Sequence, residues 1–139
     1  VMELSPEKAL VRAQKYCAYQ ERSQQEVRDK LYSWGLRGKE VENIISELIG
    51  ANFLKEERFA SAFAGGKFRV KKWGKNKIRI ALEQKKVSEP LIKKALKEIS
   101  DSDYSRSLKE VLVSRAKKVK EENAFKRNYK IASYAILCF

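Results

Sequence analysis

Val27-Arg28-Asp29-Lys30-Leu31-Tyr32-Ser33-Trp34-Gly35-Leu36 and, 51 residues further on, Ile78-Arg79-Ile80-Ala81-Leu82-Glu83-Gln84-Lys85-Lys86-Val87 are the two stretches whose comparison decides the fold. The same ungapped shift carries Ala9 onto Ala60, Ala13 onto Ala64, Val41 onto Ile92, Ile45 onto Leu96 and Leu48 onto Ile99. Eight apolar matches in one register mark a duplicated unit of about fifty residues, in which neighbouring units are expected to help bury each other's apolar faces.

Working outward from those stretches, each unit reads as three helices. Ser5-Pro6-Glu7 supplies an N-cap, a proline at the first helical position and an acid in the first turn. The helix it opens runs through Ala9, Leu10, Ala13 and Cys17 to about Gln20. Ser23-Gln24-Gln25-Glu26 is a capping box, and the helix after it carries Val27, Leu31 and Trp34 before Gly35 stops it. Val41, Ile44, Ile45 and Leu48 make the stripe of a third helix whose end is marked by Gly50. In the second unit Ser88-Glu89-Pro90 is again a serine N-cap with proline in the first turn.

No stretch reads as a strand, and both prolines stand at helix starts. The expectation is an all-α chain of tandem three-helix repeats: residues 1–55, a basic second repeat over 56–102, and a third over 103–139. The last nine residues, Ile131 to Phe139, are apolar and end without a stop signal, so the third repeat is expected to be incomplete, its final helix missing from this chain.

A chain of 139 residues buries about two thirds of its unfolded surface and needs no metal or disulfide staple. Cys17 and Cys138 are far apart within apolar helical patterns and read as buried structural thiols. There is no histidine, which removes histidine acid–base catalysis, Ser-His-Asp and Cys-His nucleophiles, and histidine-ligated metals. Adjacent carboxylates such as Glu56-Glu57 and Glu121-Glu122 point different ways on a helix and do not converge as acid and base. No catalytic residue, metal site or cofactor is expected. No apolar run reaches the ~18 residues of a membrane span, and the N-terminus lacks a signal-peptide pattern, so the reading is cytoplasmic.

The formal charge is +13, which favours a polyanionic partner. Its distribution is sharper than its total. Residues 1–60 hold ten Lys/Arg and ten Asp/Glu; residues 61–139 hold 21 and eight. Between residues 67 and 86 stand Lys67, Arg69, Lys71, Lys72, Lys75, Lys77, Arg79, Lys85 and Lys86 against Glu83 alone. Two readings stay open: an exposed rim that neutralises phosphates or acidic side chains, or cations that snorkel around a buried stripe of Ile78, Ala81 and Leu82. Trp73 is either a stacking surface for a base or a plug between repeats. A second basic string, Arg115, Lys117, Lys118 and Lys120, lies in the third repeat, where a solvated helix face explains it about as well.

Several motifs together resemble the RecX family of regulatory proteins: Glu57-Arg58-Phe59-Ala60, Lys67-Phe68-Arg69, Lys72-Trp73-Gly74 with Lys77-Ile78, Leu82 with Lys85 and Val87, and Ile92 with Ala95-Leu96. In the first repeat, Ala9-Leu10, Glu21-Arg22-Ser23 with Glu26-Val27 and Lys30-Leu31, and Asn52-Phe53-Leu54 extend the likeness. Two departures stand out: Gly65-Gly66 replaces a helix-favouring pair, and Lys86 stands where the family pattern usually has glycine. The resemblance implies an elongated, curved helical array. It also implies a monomer that binds RecA recombinase and lodges in the groove of its filament on single- or double-stranded DNA. There it would block extension, ATP hydrolysis and strand exchange, in the setting of DNA repair, recombination and the SOS response. Direct DNA binding would be weak. The rival reading is a stand-alone nucleic-acid-binding module of the helix-turn-helix type.

Overall fold

The apolar stripes fold as their spacing requires. A computed structural model describes residues 4–138, and among them it forms eight α-helices and no strand. They are α1 (Pro6–Tyr19), α2 (Gln24–Ser33), α3 (Lys39–Gly50), α4 (Glu56–Arg69), α5 (Lys75–Gln84), α6 (Glu89–Lys97), α7 (Asp101–Lys118) and α8 (Ala124–Cys138). All sixteen residues paired by the 51-residue shift are buried, and the shift also superposes the buried pairs Cys17 with Phe68 and Ile44 with Ala95.

The duplication extends to backbone bonding. Leu36 N–H donates to the Leu31 carbonyl at 3.2 Å, and Val87 N–H donates to the Leu82 carbonyl at 3.2 Å. Gly35 turns the chain with φ 92°, and Lys86 does so with φ 60°. The Ser23 capping box forms as expected, and the hydroxyl of Ser5 accepts from Lys8 N–H.

One local expectation needs correction. Ser88 has the backbone of an N-cap, yet its hydroxyl takes no helix N–H, because Pro90 removes one of the two amides within its reach and the other is not engaged. α3 ends at Gly50 as expected, and the left-handed residue that follows it is Asn52, at φ 65°, a residue type that tolerates this region.

A larger correction concerns the core. The two repeats were expected to share apolar surface, but each closes its own. Ala9 through Leu54 form one cluster from α1 to α3 and the segment just after it, and Phe59 through Ile99 form another from α4 to α6 and the turn that follows. The seam is polar. Glu56 Oε1 on α4 accepts from Gln24 N–H at the start of α2 at 3.2 Å, Arg58 Nε donates to Glu21 Oε1 at 2.9 Å, and Lys85 pairs with Glu26 at 3.4 Å. A three-helix unit can bury a single stripe per helix unaided, which leaves charge for the faces between units.

α7 begins at Asp101 under a Ser100 cap and anchors its first turns on the second repeat. Tyr104 stacks on Phe68 at 6.1 Å between ring centroids, and its hydroxyl accepts from Lys75 N–H at 3.2 Å. Gly74, the N-cap of α5, has no side chain to offer, so a tyrosine two helices away takes one of its free amides. α8 packs on α7 and touches α5. Ala135 is buried, whereas Ile136 and Leu137 stand exposed. Cys17 is buried, which pushes its thiol pKa up. The side chain of Cys138, given the same reading, and Phe139, the end of the expected incomplete repeat, lie outside the described residues.

Candidate polyanion interface

The basic segment 67–86 spans the end of α4, its connection to α5, and α5 itself. The connection is tight: Trp73 N–H returns to the Lys67 carbonyl at 3.1 Å, and Lys72 takes φ 58°. This places the nine expected cations in different environments rather than on one continuous rim. Lys67 and Lys77 stand 4.9 and 4.7 Å from the centroid of the Trp73 ring. Lys75 lies 4.9 Å from the Tyr104 ring. Lys85 reaches Glu26 of the first repeat, Lys72 bonds Glu110 of α7 at 3.2 Å, and Arg79 bonds Glu89 of α6. Lys71 and Lys86 are exposed. The guanidinium of Arg69 lies across Gly65 and makes no hydrogen bond or ion pair among the described residues.

Trp73 is a plug. It is half-buried against the second core, edge-on to Phe63 at 6.4 Å between centroids, with two ammonium groups over its ring. A base could stack there only by displacing a cation that the ring already holds.

One concentration of cations is only half visible in the sequence. Between α5 and α6 runs a shallow groove of about 560 Å³ lined by Lys75, Asn76, Arg79, Lys93, Leu96 and Lys97, with no acid in its lining. Lys75 and Arg79 are four residues apart on α5, and Lys93 and Lys97 four apart on α6, so each pair shares a helix face. The signal for Lys93 and Lys97 was present in that spacing. It needed the knowledge that the two faces oppose each other.

The second basic string divides as well. Arg115 is half-buried with its Cζ 4.5 Å from the Tyr134 ring centroid, whereas Lys117 and Lys118 are exposed. Lys120 is exposed beyond the end of α7. Arg127 donates to the Ala116 carbonyl at 2.9 Å and Lys130 to Glu121 at 3.1 Å.

The carboxylates are occupied separately. Burial raises the pKa of Glu56, against the lowering effect of the Gln24 N–H bond. The ammonium of Lys94 lowers that of neighbouring Glu57, and Lys130 lowers that of Glu121. Among the described residues no cluster of three Cys, Asp or Glu is placed to hold a metal, and no helix is long and apolar enough to cross a membrane.

Two family models match this arrangement repeat by repeat: RecX, first three-helix domain, over residues 9–48, and RecX, second three-helix domain, over residues 56–96. The chain belongs to the RecX family. Among curated relatives, the regulatory protein RecX of Prosthecochloris aestuarii is 37% identical over 66% of this chain and 60% of its own length. That of Lactobacillus johnsonii is 34% identical over 69% of this chain and 35% of its own length. The chain thus matches 60% of the length of the first relative and 35% of the second, less than two thirds of either. The crystal structure of RecX from Lactobacillus salivarius superposes with a TM-score of 0.84 at 20% identity, covering 96% of this chain and 86% of that one. Lys75, Arg79 and Lys93 of the groove fall inside the second RecX domain match, with Lys97 directly after it; the Arg115–Lys120 string lies outside both matches.

Proposed function

We propose that this RecX-family chain acts in the cytoplasm as a regulatory protein that binds RecA recombinase and its filament on DNA, and that it restrains filament extension, ATP hydrolysis and strand exchange. Family membership supports the regulatory class. The observation that carries the choice of partner is the α5–α6 groove, which Lys75, Lys93 and Lys97 line together with Arg79, the last of them paired with Glu89 beside it. Such a channel suits a phosphate backbone or a carboxylate-rich protein ridge, and a filament on DNA presents both.

The test is RecA's DNA-dependent ATPase with and without the protein. Wild type should inhibit. Lys93→Glu with Lys97→Glu should inhibit much less while keeping the helical circular dichroism, because both side chains are exposed and neither carries an ion pair among the described residues. Inhibition should also weaken with salt. Each phosphate neutralised contributes a log–log slope of about −0.9 on duplex or about −0.7 on single strands. Failure of wild type to inhibit, together with tight binding to one DNA sequence over random DNA, would favour a stand-alone helix-turn-helix reader instead.

A further inference from the structure

We infer that the junction of the second repeat with α7 and α8 holds a phosphate-binding pocket, centred on Arg115. A cavity of about 290 Å³ opens there, where the α4–α5 connection meets the last two helices. Lys72 enters it from the connection, Glu110, Ser114, Arg115 and Lys118 from α7, and Tyr134 from α8. Positions 110, 114 and 118 repeat every four residues, with 115 beside them, so α7 turns one continuous face toward the cavity.

Three features point to an anionic ligand. Arg115 Nε is buried and has no hydrogen-bond acceptor among the described residues, and a buried donor on a permanently charged group is normally satisfied. The guanidinium is held against the Tyr134 ring at 4.5 Å and does not need to be ordered by the ligand. Three cations face a single carboxylate, that of Glu110, which is already engaged by Lys72 at 3.2 Å. Among the described residues neither Arg115 nor Lys118 has a carboxylate partner, and Arg115 has only the Tyr134 ring.

The donor set selects phosphate over carboxylate. The Arg115 guanidinium, the Lys118 ammonium and the Ser114 hydroxyl can each donate to a different oxygen. A phosphate group offers three or more acceptor oxygens, a carboxylate two. The group could be a terminal phosphate monoester of nucleic acid or a free phosphate, and the pocket stands whether or not the chain regulates a recombinase.

The experiment is a titration of inorganic phosphate into the full chain, following the amide resonances of Ser114 and Arg115, with acetate at matched ionic strength as comparison. Saturable shifts with phosphate, and binding weaker by about tenfold for acetate and for Arg115→Gln, are expected from the loss of a charged hydrogen bond. Lys118→Gln should also weaken binding, and because Lys118 is exposed it carries the test if Arg115→Gln fails to fold. Lys117→Gln, outside the cavity, should leave it unchanged. Unsaturable shifts, acetate binding as well as phosphate, or unaltered affinity in Lys118→Gln would overturn the proposal. Displacement of phosphate by a short 5′-phosphorylated oligonucleotide would assign the group to nucleic acid; saturable phosphate binding without displacement would assign it to free phosphate, and each of these supports the pocket.

Discussion

Lys86 occupies a left-handed backbone position, φ 60°, that the first repeat fills with Gly35. The hydrogen bond that closes the turn is the same in both repeats, so the geometry is retained while the residue suited to it is not. A non-glycine residue in this region costs about 1–2 kcal/mol. Lys86→Gly should therefore raise stability by about 1 kcal/mol in urea denaturation, even after the entropy glycine adds to the unfolded chain; an unchanged or lower midpoint would show that the turn carries no strain. The Gly65-Gly66 pair divides differently. A Cβ at Gly65 would meet Arg69 Nη1 and Nη2 at 2.8 Å, whereas one at Gly66 would meet nothing within 4 Å. Only the first glycine makes room for a neighbour. Gly66→Ala should stabilise by about 1 kcal/mol through helix propensity, read as a higher thermal midpoint with unchanged circular dichroism.

At the scale of the element, the start of α4 shows how adjacent carboxylates diverge. Glu56 turns to the N-terminus of α2 and is raised by burial. A carboxyl whose folded pKa lies above its unfolded one stabilises most when protonated, and that contribution is lost as pH rises through the raised value. Glu56→Gln should therefore be relatively stabilising at neutral pH, with its advantage fading as pH falls through the carboxylate range. Glu42, lowered by its bond from Arg28, has the opposite sign. Its contribution is present above the unfolded value and lost in acid, so Glu42→Gln should cost stability only at neutral pH. Urea midpoints of both variants from acid to neutral pH check the pair, and parallel slopes would sink the argument. The starts of α1 and α2 were legible in the sequence because Ser5 and Ser23 cap amides three residues away. The cap on α5 was not, since the Tyr104 hydroxyl comes from 29 residues further on. The same limit hid Lys93 and Lys97: spacing along one helix gives a face, but only packing reveals which face opposes it.

For the whole molecule, the 51-residue shift made the repeat and nearly all of its core legible, because it maps buried positions onto buried positions within a unit. It carried no information about the seam, where Gln24, Glu21 and Glu26 meet Glu56, Arg58 and Lys85. Exposed and half-buried ion pairs contribute little, about 0–1 kcal/mol each, against the burial energy inside each unit. Two closed cores joined by such a seam should open separately. Ile45→Val, a truncation inside the first core at a residue 3% exposed, should cost about 0.5–1.5 kcal/mol. Native-state hydrogen exchange should show that loss in the slowest amides of α1 to α3, while those of α4 to α6 keep their protection. An equal loss in both sets would mean that the seam couples the repeats into one cooperative unit, and that its few charged contacts are worth far more than their exposure implies.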